Sequence, residues 1–576
     1  MKIYTKSYVL IIFLFAIIAI NFSSVTYAAI SNSDTNNAFR DDVMRFVKQV
    51  AANGLENQVT PANAAMDEHW YNGGHLIINW AMSVSMYSNG KLIGMGATNE
   101  KSLSRALIKA TIQALETARF ASKSFADMRF KITFYYPPDA RQYSIVDHGD
   151  KSAELIGNIS PVRVMDTPLL KERILAQKAY LLRMMDPEMH AFFKRYNPKT
   201  DEREKSVRTI YSASSLFTLL EINSAFPDPV IESLVVPIGD FLLMMQEKSG
   251  ENAGAFHYSY DKITREKDSR FVVGTASKTI FTLLLLNERT RDPKYLNAAV
   301  AAGNWLMTKV DADGRVNPVV RYSANKKKLI QLKKQSFLYS GQVLSALSRL
   351  YKVTRDKKYY DTATLIANRF VKHAAEKGAF VGDDFRSPNS VSTSWMVMSL
   401  TDYAKVNRAQ VYRKAVTRSS AELVARQASD EDDAFNNGRV VDLISASGNG
   451  WLNEVMTVLY PFCKKERMQN CESYKQFIVN SSRWLVQNVY TPVNSFSIKN
   501  PANADGGAIP NFLGKIVRTD AVCHGGNSLV GLLKIAGPKD QVYKSLPEMP
   551  FEQVLTLLGI GLFPEIGNSK GGVGAQ

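Results

Sequence analysis

Cysteine is almost missing from this chain: three residues in 576, at positions 463, 471 and 523, too few for a disulfide framework. Long apolar runs are equally scarce. One exists, at the extreme N-terminus, so a multi-span membrane protein is excluded. Charged residues make up 22% and hydrophobic residues 45%, a balance that rules out intrinsic disorder and a coiled coil. What the chain does have is size and positive charge. Its length fits two domains or one large one, and 71 Lys and Arg against 54 Asp and Glu give a formal charge of +17.

The apolar run predicts the compartment. Lys2 and Lys6 precede Val9 to Ile20, and small residues follow at Thr26-Tyr27-Ala28-Ala29. This is the layout of a secretory signal peptide, residues 1–28, cleaved after Ala28; a retained anchor is the alternative. The expected location is periplasmic or secreted, with association to the envelope left open. Nucleic acid is not an expected partner, and the basic surplus suits anionic glycans or an anionic envelope surface.

Residues 39–166 read as a small α+β domain with an antiparallel sheet. Met82, Val84 and Met86 alternate with serines, Asn89-Gly90 signals a hairpin, and Phe130 to Tyr136 alternates again. Leu103, Ala106, Leu107, Ala110 and Ala114 recur at helical spacing. A helical linker is expected over 167–205. From residue 206 to 560 the pattern becomes paired helices. First members start near Thr209, Val272, Ser336, Val391, Asn449 and Asp520, and second members near Val230, Pro293, Lys357, Ala409, Glu472 and Pro550. Intervals of roughly 55 to 71 residues between first members indicate internal repetition. The first members are apolar all round and the second carry a charged face. A Gly-Ala-Phe turn at 254–256 recurs at 378–380, with a looser copy at 506–508. Six hairpins of this kind predict an all-α (α/α)6 toroid, followed by a Gly-rich tail over 561–576.

The stretch Phe337-Leu338-Tyr339-Ser340-Gly341-Gln342, with Arg349-Leu350-Tyr351 and Asp356 to Tyr359, resembles the helical hairpin of glycan-processing toroids: glycosidases, polysaccharide lyases and uronate 5-epimerases. Ile516 to Asp520 followed by His524 is similar to the last inner helix of the epimerase-like members. Gly90 to Gly96 resembles an AMMECR-type domain, with Met95 where that family places cysteine. The resemblance implies a sugar-binding bowl at the open end of the inner ring.

Polar residues near the starts of the inner helices are therefore the candidates. Asp383, Asp384, Asp520, His524 and Tyr339 are the catalytic candidates, since paired carboxylates serve glycoside hydrolysis and a base serves elimination or epimerisation. Tyr258, Tyr260, Asp261, Asp505, Gln342, Trp451 and Glu454 are expected to bind substrate, and Arg518 to grip an acidic group. Cys463 and Cys471 are candidates for a local disulfide. Cys523-His524-Gly525 resembles the zinc motif of lanthionine-synthetase cyclases, but Leu452 stands after Trp451 where a further ligand is needed, so no metal and no cofactor are expected. The reading is an exported protein that binds and modifies an acidic polysaccharide. Its alternatives are a non-catalytic envelope or polysaccharide-export scaffold, which would engage an envelope protein through the N-terminal domain, and a cyclase-like toroid with a degenerate metal site.

Overall fold

The computed structural model describes residues 32–55, 75–118, 128–136, 141–147, 154–156 and 161–563, except 80, 89–90, 324–327, 333, 444, 493, 496–497, 511–515 and 537–540. The expected signal segment, the Asn89-Gly90 turn and most of the Gly-rich tail lie outside these residues. No helix among the described residues is long and apolar enough to cross a membrane.

Helices are numbered in chain order. The N-terminal domain holds α1 (Asn32–Leu55) and α2 (Leu103–Thr117) against a five-stranded antiparallel sheet in the order 91–98, 81–88, 128–136, 141–146, 154–156. Val84 opposes Gly96 on one side and Ile132 on the other, so the alternating apolar set faces one core. Gly94 and Gly96 lie so close to the backbone of α2 that no side chain fits there.

The helical part begins at α3 (Thr167–Arg183). It continues through α4 (Thr209–Ala225), α5 (Pro229–Met244), α6 (Val273–Thr290), α7 (Pro293–Met307), α8 (Phe337–Thr354), α9 (Lys357–Lys377) and α10 (Ser390–Ala404). Then come α11 (Gln410–Val424), α12 (Ala446–Lys465), α13 (Cys471–Gln487), the single turn α14 (Pro501–Ala504), α15 (Thr519–Ala536) and α16 (Phe551–Leu558). Helices α4, α6, α8, α10, α12 and α15 pack each on the next, and α15 packs back on α4. The ring is closed. These helices are buried on almost every side: in α10 all but one of the residues from Ser390 to Ala404 are buried.

The outer wall is amphipathic. On α9, Tyr359, Ala363, Ile366, Ala367, Phe370 and Ala374 turn inward at helical spacing. Asp228, Asp292 and Asp356 cap α5, α7 and α9, each accepting the N–H two residues on, at 2.9, 3.0 and 3.2 Å.

Two expectations need correction. The helix after Pro550 is not the sixth outer helix. Its residues Val554, Leu555 and Leu558 join the N-terminal core, and Ile560–Phe563 pairs with His75–Ile78. The sixth outer position belongs to α3, which was expected to be linker and instead packs between α15 and α4. A repeated turn makes the equivalence plain. Gly254, Gly314, Gly438 and Gly506 all have positive φ, and a Cβ on each would collide with a carbonyl of the next outer helix: Ala301, Leu365, Asn480 and Ala176 respectively. Two residues after each glycine, Phe256, Val316, Val440 and Ala508 form a bridge to the end of the preceding hairpin. Ala176 lies in α3. Gly378, expected as a copy of Gly254, has open space around its Cα and only terminates α9.

Cys463 and Cys471 are joined as a disulfide across the α12–α13 turn. The N-terminal domain rests on the loops that lead into α12 and α15, where Phe435 meets Tyr143 at 5.1 Å and Ile509 enters its core.

Candidate active site at the mouth of the ring

All six inner helices point their N-terminal turns at one cavity of about 660 Å³. Tyr211 comes from α4, Lys278 from α6, Gln342 from α8, Trp395 from α10, Trp451 from α12, and Asp520 and His524 from α15. Arg195 and Arg518 stand at the rim, and Ala508, Ile509 and Pro510 form the wall nearest the N-terminal domain.

Five sequence candidates meet here: Arg518, Asp520, His524, Gln342 and Trp451, with Glu454 one turn deeper on α12. His524 Nδ1 lies 2.6 Å from Glu454 Oε2, and Asn527 donates to the other oxygen at 3.2 Å. A carboxylate only accepts, so Nδ1 donates to it, which in the neutral ring leaves Nε2 with its lone pair. Burial alone would raise the pKa of Glu454, but His524 and Lys278 outweigh it and hold the carboxylate below its usual range. Asp520 is held low in the same way, because Arg518 overcomes the cost of burial with a two-pronged bond at 2.9 and 2.6 Å. Arg518 also reaches the Tyr211 hydroxyl at 3.4 Å. Burial raises the Tyr211 pKa well above that of a free phenol.

The remaining candidates lie elsewhere. Asp383 accepts the N–H of Phe337 at 2.9 Å and Asp384 that of Gln335 at 2.8 Å, so together they cap the start of α8 from outside the cavity. Asp261 closes its own turn on Ile263 and Thr264. Asp505 sits behind the wall, with its carbonyl bonded to Arg183. Tyr258 is clamped between the guanidinium groups of Arg208 and Arg270, at 5.1 and 3.9 Å from its ring. Tyr260 packs in a strand of a small sheet, and Tyr339 packs beside Gly274, its pKa raised by burial. Of the aspartates expected at the bowl, Asp520 alone lines the cavity, and Asp261, Asp383, Asp384 and Asp505 do not converge on it. Each of these loops spends its polar groups on backbone turns before reaching the bowl.

Several residues were not anticipated. Trp395 stacks on Trp451 with centroids 3.9 Å apart, and Trp451 meets the edge of His524 at 5.2 Å. The available signal for Trp395 was a tryptophan in a helix rich in serine and threonine. Lys278, the one lysine in a mostly apolar helix, gave the same kind of faint sign. Cys523, beside His524, turns away from the cavity towards Ser215, and burial pushes its thiol up to about 12. No group of three or more His, Cys, Asp or Glu poised for a metal occurs among the described residues.

No protein-family model matches this chain, and no curated protein does. Solved structures do share similarity. A family 76 glycoside hydrolase from a bovine Bacteroides thetaiotaomicron strain is 11% identical, with a TM-score of 0.48 over 80% of this chain and 94% of that one. A D-mannose isomerase is 15% identical, with a TM-score of 0.47 over 64% and 98%. An unsaturated glucuronyl hydrolase specific for heparin is 13% identical, with a TM-score of 0.45 over the same shares. The AMMECR-type likeness of the N-terminal domain gains no match.

Proposed function

We propose that the protein is an exported enzyme that binds one unit of an acidic glycan in the mouth cavity and moves a proton on it through His524. The observation that carries this reading is the His524–Glu454 pair at 2.6 Å, whose free Nε2 belongs to a residue lining a cavity large enough for a sugar ring. Glu454 fixes the tautomer and stabilises the imidazolium that forms when Nε2 takes a proton. The abstracted hydrogen is the one on the carbon beside the sugar carboxylate. Delivery of a different proton, from water on the opposite face, gives epimerisation, and loss of the neighbouring glycosidic oxygen gives elimination. Hydrolysis by two carboxylates fits less well, since Asp520 is bound to Arg518 and Glu454 to His524.

Support for an acidic substrate comes from an imbalance of charge at the rim. Arg195 and Arg518 stand directly opposite each other across an antiparallel strand pair, and since Asp520 already neutralises Arg518, the charge left to meet an anion is that of Arg195. Lys194 beside them is driven down to about 8 by burial and by Arg518, Arg195 and Arg208. The converging helix N-termini add positive potential. A uronate carboxylate placed there relieves all three, and the same cations stabilise the charge that develops on it during proton loss.

The test is incubation with a panel of uronate-containing and neutral glycans in deuterated water. Deuterium uptake or unsaturated product, abolished in His524→Ala, supports the reading. New reducing ends without exchange, or activity retained in His524→Ala, overturns it. Export is expected from Val9 to Ile20 and is checked by fractionating cells that express the full chain.

A further inference from the structure

The floor of the mouth cavity holds a cation that proton transfer at His524 does not use. Lys278 lies on α6 and lines both the mouth cavity and a second chamber of about 190 Å³ behind it, as His524 does. Its Nζ sits 4.9 Å from the Trp451 ring, 5.2 Å from Trp395 and 5.4 Å from Phe281. No carboxylate or carbonyl bonds to it among the described residues. Lys357 and Lys358 on the outer wall, by contrast, pair with Asp361 and Asp356 at 2.8 and 2.9 Å.

We infer that Lys278 is a carbonyl-trapping amine, which binds an aldehyde or ketone, such as the open-chain end of a sugar, as an imine in the mouth cavity. Two features carry this. The amine borders open space on two sides, and no carboxylate or carbonyl bonds to it among the described residues; the three aromatic rings around it favour an ammonium form by cation–π attraction, which burial opposes. In the step itself the nitrogen lone pair forms a bond to the carbonyl carbon. The two amine hydrogens leave with the carbonyl oxygen as water, and no oxidant or reductant is required. Charged groups around the site pull in both directions. Burial lowers the Lys278 pKa and Arg349 lowers it further, whereas Glu454, Cys523 and Asp520 favour the ammonium form; burial prevails. The inference stands apart from the proton-transfer reading, because trapping needs no turnover of a glycan.

The experiment treats the full-length protein with glyceraldehyde and cyanoborohydride over a pH series, then maps the reduced adducts by peptide mass. Lys278 is expected to label at least about twofold faster than Lys357 near neutral pH, since burial lowers its pKa while the Asp361 partner raises that of Lys357. Its labelling is expected to level off at a lower pH than that of Lys357, whose ammonium form Asp361 holds. Lys278→Met removes this adduct and leaves the remainder of the map unchanged, with melting curves confirming a folded protein. Because mapping on the unaltered protein is decisive alone, a misfolded variant does not rescue or sink the idea. Labelling of Lys278 no faster than that of surface lysines overturns it. Loss of glycan exchange in His524→Ala with trapping intact separates this site from the function proposed above.

Discussion

If α3 completes the outer wall, then Gly506 is a contact point between the last hairpin and a helix more than three hundred residues upstream, and a methyl group there must weaken the whole ring. Gly506 has φ of +77°, and Gly250 has almost the same value, +73°. Around Gly250 a Cβ meets nothing within 4 Å, whereas at Gly506 it falls on the Ala176 carbonyl. Alanine in the left-handed region costs about 1–2 kcal/mol, which both substitutions share. Pressing against fixed backbone adds about 1–3 kcal/mol at Gly506 alone. Gly506→Ala should therefore lose about 2–5 kcal/mol and Gly250→Ala about 1–2 kcal/mol. At about 2–4 °C per kcal/mol for a large domain, the two melting points should differ by several degrees in far-UV circular dichroism of the full chain. Equal melting points would mean that nothing crowds Gly506, and the assignment of α3 to the wall would fail.

Other outcomes follow from the same contacts. Glu454→Gln keeps the shape of the dyad but removes the charge that stabilises the imidazolium, so turnover on a uronate substrate should fall about 100-fold or more with KM little changed. Arg195→Ala should do the reverse, raising KM for acidic glycans while leaving neutral ones unaffected. Asp402, buried between Arg349 and Lys405, is lowered from 3.8 to about 2: burial opposes the charge, and the two cations overcome it. Its contribution, on the order of 2 kcal/mol, is present above the unfolded value near 4 and disappears as the pH falls towards 2. Acid unfolding of Asp402→Asn should accordingly be less steep in that window. Reduction of the Cys463–Cys471 bond, which closes a short loop, should cost about 2–3 kcal/mol, read as a lower denaturant midpoint.

The inner helices were legible because burial on every side leaves a continuous signature. The starts expected at Thr209, Val272 and Ser336 fall within one residue of those found. The outer helices were legible through their charged faces and their pairing with the inner ones. The sixth was not, because nothing local marks α3 as the mate of a helix at the far end of the chain. Closure of a ring is a long-range fact. At the site, His524, Arg518 and Asp520 were found because they cluster in sequence at one helix start. Asp383 and Asp384 misled because a carboxylate that caps a neighbouring helix has the same sequence appearance as one that faces a substrate. Lys278 and Trp395 had no neighbours in sequence to announce them; only packing shows that they share a floor.

The placement of α3 also dictates an order of events as the chain is made. That helix leaves the ribosome early, with one flank waiting for α15, and α15 is synthesised only after five complete hairpins have emerged. Until then the nascent ring is a horseshoe with two apolar lips, one on α4 and one on α12, which meet through the last-made helix. A ribosome stalled anywhere before residue 519 thus releases a sticky arc instead of a smaller closed ring, and a chaperone that shields those lips would matter more to this protein than one that speeds any single helix.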